Sequence, residues 1–151
     1  TNVAQMVNVL QAMILTEGPK MALTPTYHAF RLYVPFQGAT YLPTEITTPD
    51  YTLGKNTIPM VSVSAARDTQ GKLQLALVNS DPRREAVVTT NVTGAEAKQA
   101  LGRVLTAKAM DAHNTVDEPE QVYPVKISGK REGGKIVLRL PPMSVSVVAL
   151  Q

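Results

Sequence analysis

The 151-residue chain contains no cysteine and no tryptophan. The first absence excludes disulfides and thiolate metal sites, and it leaves the compartment open, cytoplasmic or secreted. The second removes the best platform for stacking a polysaccharide, since Tyr 5 and Phe 2 are the whole aromatic complement. Charge is sparse, 18% of residues with a net of +3. The basic residues are scattered, and the local pairs Arg83-Arg84 and Lys130-Arg131 each sit beside a turn signal, so a nucleic-acid partner is not expected. No apolar run is long enough to span a bilayer. The longest, over 2–15, is too short and contains Gln5, Asn8 and Gln11, so no membrane partner is expected either. Glycine-rich phosphate loops and a G-x-S-x-G nucleophile turn are also lacking. His28 and His113 lie far apart, with no clustered carboxylates to complete a metal shell. No metal and no cofactor are expected.

What is present divides into two halves. "NVAQMVNVLQAMILTEG" (Asn2 to Gly18) has the spacing of a helix, with Asn2 as N-cap and Val3, Met6, Val7, Leu10 and Ile14 on one stripe. Ala4, Val9, Ala12, Met13 and Leu15 cover much of the remainder, and a helix apolar all round is a buried one. Its burial calls for protein beyond this chain. Gly18-Pro19 ends it, "KMALT" reads as a short strand, and Pro25 opens a second helix with Phe30, Tyr33 and Val34 as its buried face. Helix, strand, helix is the repeating unit of an α/β barrel.

From about Gln37 the period becomes two. "PMVSVSAA", "KLQLALVN", "EAVVTTNV", "ALGRVLTAKAM", "KIVLRL" and "SVSVVAL" read as strands, separated by turns at "DTQG", "SDPRR", "EGGK" and Pro141-Pro142. This spacing predicts a mainly β fold, an antiparallel β-sandwich of jelly-roll-like type. "QGATYLPTEITTPDYTLGKNTIP" is expected to be a linker wrapped over a surface.

Few residues invite chemistry. Most carboxylates fall in turns, and no pattern sets two of them on one wall. "DEPE" (Asp117 to Glu120) reads as a solvent loop, and the serines of "SVSA" and "SVSVV" as outward strand positions. His28 and Tyr27 directly follow the short strand, where a barrel would place its active site, although a packed histidine at a helix start is the simpler alternative. Gln5 and Asn8, three apart on the opening helix, share a face. Their amides suit sugar hydroxyls, and equally suit tying the helix to neighbouring backbone.

"NVAQMVNVLQAMILTEGPKMALTPTYHAFRLY" resembles the end of the catalytic barrel in α-L-arabinofuranosidases of glycoside hydrolase family 51, where an "AQ-x-VNV-x-QA" helix precedes "M-x-LTPTYH-x-F". "LALVNSDP", "GRVLTA", "AHNTVDEPEQV" and "LPPMSVSVVAL" are similar to that family's C-terminal β-sandwich. The resemblance covers nearly the whole chain, in order. It implies that residues 1–37 end a (β/α)8 barrel and that 38–151 form the sandwich. It further implies a retaining hydrolase that releases terminal arabinofuranosyl groups from arabinoxylan or arabinan through two glutamates about 5 Å apart. Those glutamates belong to earlier barrel strands, so no residue here is assigned a catalytic role and the isolated chain is expected to be inactive. Gln5 matches the family's substrate-binding glutamine, while Asn8, Tyr27 and His28 match surrounding positions and support it. The implied partners are the N-terminal barrel of the same enzyme, arabinose-containing oligo- or polysaccharide, and further copies in a homo-oligomer. A rival of another class is a non-catalytic β-sandwich carbohydrate-binding or interaction module. Such a module would bind arabinoxylan unaided and would have no use for a bare apolar helix.

Overall fold

The computed structural model describes Val3 and residues 5–151. Asn2, the expected N-cap, lies outside them. The opening segment is not a helix. Residues 5–13 form bends and turns, with Asn8 and Gln11 at φ 53° and 60°. These left-handed conformations break any continuous helix, and Asn is among the few residues that adopt them readily. The amide hydrogens of Met13 and Ile14 reach back to the Met6 carbonyl instead. A hairpin follows, β1 (Ile14–Glu17) and β2 (Lys20–Leu23), turning at Gly18 with φ 55°. Then comes α1 (Pro25–Leu32), as expected from Pro25, with the Thr24 hydroxyl accepting from the Tyr27 amide at 3.4 Å. The expected helix, strand, helix is thus a hairpin and one helix. The buried face of α1 also differs. His28 and Leu32 are buried, while Phe30, Tyr33 and Val34 are exposed.

The linker holds more order than its composition suggests. It contains β3 (Thr40–Leu42) and a second hairpin, β4 (Asp50–Leu53) and β5 (Asn56–Pro59), turning at Gly54-Lys55. The alternating stretches become β6 (Val61–Arg67), β7 (Leu73–Asn79), β8 (Ala86–Thr90), β9 (Gln99–Leu105), β11 (Lys135–Leu140) and β12 (Ser144–Leu150), with β10 (Val125–Glu132) added ahead of the "EGGK" turn. At the "DTQG" turn, Asp68 Oδ1 accepts from the amides of Gln70 and Lys72, and Gly71 sits at φ 80°.

Eight strands form one antiparallel sheet in the order β3-β6-β7-β12-β9-β10-β11-β8. The sheet curls so that its halves face each other. Asn79, at the end of β7, shows how: its Nδ2 donates to the carbonyls of Arg84, Leu140 and Pro141. The ends of β7 and β11 and the approach to β8 therefore meet at one amide, although β7 and β8 stand five places apart in the sheet. Inside the curl, Leu75, Leu77, Val148 and Leu150 pack with Ala86, Ile136, Leu138 and Leu140. Outside it, Ala76, Leu105 and Val147 receive Leu32 of α1 and Val122. Strands β7 and β12 are covered on both faces, which explains their near-continuous apolar sequence. It also reverses one expectation: Ser144 and Ser146 are fully buried, not outward, whereas Ser62 and Ser64 do face solvent.

Candidate functional site

The residues singled out in the sequence fall into two clusters beside the first hairpin. Asn8 forms the first. Its Nδ2 donates to Thr16 Oγ1 at 2.9 Å and to the Thr16 carbonyl at 3.1 Å, and its Oδ1 accepts from the Thr16 amide at 2.7 Å. An amide offers both functions at one site, so a single side chain replaces two ladder bonds. Thr24 anchors the other end of this segment, its amide bonding the Met13 carbonyl and its hydroxyl the Ala12 carbonyl. Gln5 lies upstream of these ties and is exposed. Gln5 and Asn8 do not share a helix face, because there is no helix.

His28 centres the second cluster. It is buried on α1, with the ring edges of Tyr27 and Tyr123 at centroid distances of 5.5 and 5.0 Å. Its Nε2 is buried without a hydrogen-bond partner among the described residues. Burial pushes its pKa down, and the Glu120 carboxylate opposes this more weakly. Burial therefore favours the neutral imidazole.

A long loop, residues 106–124, closes over both the hairpin and α1. Asn114 fixes it. Its Nδ2 donates to the Leu23 carbonyl at 2.8 Å and the Val122 carbonyl at 2.9 Å, and its Oδ1 accepts from the Val122 amide at 2.7 Å. Lys20 pairs with Asp117 of the "DEPE" loop, both largely exposed, a pair worth little in water. His113 is a turn residue bonded to the Asp111 carbonyl. Sequence reasoning missed Asn114 and Tyr123. Their partners on the hairpin and α1, Leu23 and His28, lie far along the chain, and nothing local marks them. No group of three or more His, Asp or Glu residues among the described residues could hold a metal ion. No helix among them is long and apolar enough to cross a membrane.

The apolar residues of this region stand open. Relative exposures are 58% for Met6, 89% for Leu10 and 60% for Met21, and Val7, Phe30, Tyr33 and Val34 are exposed as well. Exposed large apolar side chains gathered in one stretch of the chain, residues 6–34, are the kind of feature that marks an interaction site.

Comparison with known proteins gives the context. The family model for the α-L-arabinofuranosidase C-terminal domain matches residues 1–144. An intracellular exo-α-L-arabinofuranosidase of Bacteroides ovatus is 38% identical over 99% of this chain, which spans 30% of that relative. The crystal structure of the GH51 arabinofuranosidase from Xanthomonas axonopodis pv. citri superposes with a TM-score of 0.93 at 44% identity, covering 98% of this chain and 30% of that one. The thermostable GH51 α-L-arabinofuranosidase from Thermotoga petrophila RKU-1 gives 0.81 at 26% identity, covering 98% and 33%. The chain thus belongs to the α-L-arabinofuranosidase C-terminal domain family, the C-terminal portion of glycoside hydrolase family 51 enzymes.

Proposed function

We propose that this chain serves a retaining, exo-acting α-L-arabinofuranosidase, with residues 1–37 completing a catalytic (β/α)8 barrel and 38–151 bracing it. The observation that carries the proposal is the open apolar face of Met6, Val7, Leu10 and Met21, in the segment whose motifs match the barrel's end. Burying such side chains is worth about 1.5–3 kcal/mol each, a strong incentive for a partner surface. The 30% coverage of the relatives supports a partner within the same polypeptide.

In this assignment the two catalytic glutamates come from the barrel. Gln5 hydrogen-bonds an arabinofuranose hydroxyl. Asn8 holds the Gln5 segment to the hairpin, while Tyr27 and His28 set the helix behind it. The substrate is a terminal arabinofuranosyl group of arabinoxylan, arabinan or their oligosaccharides. A free carbohydrate-binding module is less well supported. The groove lined by residues 42–49 and 85–95 has no aromatic residue on which a sugar ring could stack.

The test is an assay of residues 1–151 with a chromogenic α-L-arabinofuranoside. No turnover is expected, and turnover above background would remove the need for a barrel. In the full-length enzyme, Gln5→Ala is expected to lower kcat/KM by about 10- to 100-fold, the loss of one or two hydrogen bonds to substrate. An unchanged value would take Gln5 out of the site.

A further inference from the structure

The segment that carries Gln5 is the outer row of a small ladder. Ile14 of β1 and Leu23 of β2 stand opposite each other, and beside them the Thr24 amide donates to the Met13 carbonyl at 3.0 Å. Cross-strand bonds alternate along an antiparallel pair, so the backbone groups of Ile14 and Leu23 point outward, away from each other. On the Ile14 side the opening segment takes them. The Ile14 amide donates to the Met6 carbonyl at 2.9 Å, and the Ile14 carbonyl accepts from the Asn8 amide at 3.1 Å. On the Leu23 side the carbonyl accepts from Asn114 Nδ2 at 2.8 Å. Four pieces of chain therefore lie in one row: residues 6–8, β1, β2 and Asn114.

Asn114 is the fixed end of that row. Its loop is fastened to the outer face of the sheet by Val122, which packs with Leu32, Leu105 and Val147. The Asn114 amide is bonded both ways to Val122, and this fixes its orientation. Asn114 is also fully buried. Opening its contact with Leu23 would leave a buried donor and a carbonyl without partners, so the contact stays closed. Among the described residues one other hydrogen bond joins the hairpin to the sandwich, from Lys20 to Asp117, and both of those side chains are largely exposed. Such a pair is screened by water and holds little.

We propose that Asn114, a residue of the β-sandwich, is a positioning residue for substrate: it holds the hairpin in register with the sandwich and so places Gln5 against the arabinofuranose. The proposal rests on the reading of Gln5 as a substrate contact. It gives the sandwich a share in the reaction beyond bracing the barrel. Alignment is costly to lose, since a shift of about 1 Å in a positioned group can slow a reaction by up to about 100-fold.

The experiment is a double-mutant cycle in the full-length, barrel-containing enzyme, with kcat/KM for a chromogenic α-L-arabinofuranoside expressed per folded molecule. Asn114→Ala is expected to lower kcat/KM by about 10-fold. In the Gln5→Ala background the same change is expected to lower it by less than about twofold, because the contact it positions is already gone. An equal loss in both backgrounds, or no loss in the Gln5-containing enzyme, overturns the proposal. Thr115→Ala removes a bond within the same loop, donated by the Glu118 amide to the Thr115 hydroxyl at 3.0 Å, and leaves the hairpin untouched. It is expected to keep the native kcat/KM. A loss equal to that of Asn114→Ala would make order in the loop, not the Leu23 contact, the cause, and would also overturn the proposal. Where Asn114→Ala yields no folded enzyme, Asn114→Asp keeps the bond from the Val122 amide and gives up the donation to Leu23, and the same pattern is expected of it. Gln5→Ala alone separates the two levels. An unchanged kcat/KM there sinks the reading of Gln5 and this proposal with it. A lowered value, with additive loss from Asn114→Ala, sinks the positioning role alone.

Discussion

Three residues hold more of this molecule than their size suggests. Gly102 lies on β9 directly beside β12, and a Cβ built on it would come within 2.0 Å of the Val147 carbonyl oxygen. Backbone on both sides leaves nowhere to move. Gly102→Ala is expected to cost about 3–5 kcal/mol, checked by urea unfolding of the purified chain. Asn114 carries three hydrogen bonds in a buried position. Asn114→Ala leaves two carbonyls and an amide without their partner, a loss of about 2–4 kcal/mol. It should free the 106–124 loop for proteolysis before the sheet unfolds. His28 has a depressed pKa, set by burial. The unfolded chain therefore binds a proton that the native state refuses. Stability is complete above the ordinary histidine pKa of 6.5 and falls as pH drops from there towards the lower native value. His28→Phe removes the titration, so its unfolding free energy should be flatter than that of the native sequence between pH 7 and pH 5.

At the scale of elements, the inner and outer faces of the curl are distinct. Leu138 of β11 is fully buried in the inner cluster. Leu138→Ala should cost about 2–5 kcal/mol in thermal or urea unfolding, with the spread set by how far the facing β7 and β12 can collapse. The strands around this core were legible because strict alternation and turn chemistry agree, as in β6, the Asp68–Gly71 turn and β7. Three features were not. Strand β10, "VKISGKRE", is polar and glycine-containing, so its pattern is weak although β9 pairs with it over six residues. The β4–β5 hairpin sits in a Thr- and Pro-rich stretch that composition assigns to a linker. The opening segment has helical periodicity, but Asn8 and Gln11 take left-handed conformations and tie it to a hairpin. Periodicity reports which residues want burial. It does not say which backbone will bury them. The candidate site was half legible for the same reason: His28 and Asn8 stand in recognisable motifs, whereas Asn114 and Tyr123 arrive from about ninety residues away.

The whole molecule presents an unfinished surface, the apolar face around Leu10 and Met21. This face makes a measurable demand of the isolated chain. It is expected to self-associate through this face in sedimentation experiments, and the double variant Leu10→Lys, Met21→Lys is expected to be monomeric. Equal association of both forms would remove this face as a contact. The order of the sheet has its own result. β12 stands at the centre, between β7 and β9, yet follows both of them in the chain. On the ribosome, every earlier strand must wait with a gap at the heart of the sheet until residues 144–150 have left the exit tunnel. The two parts of the sheet can therefore join only once the last strand is made, so the closing of the sheet comes as one late event.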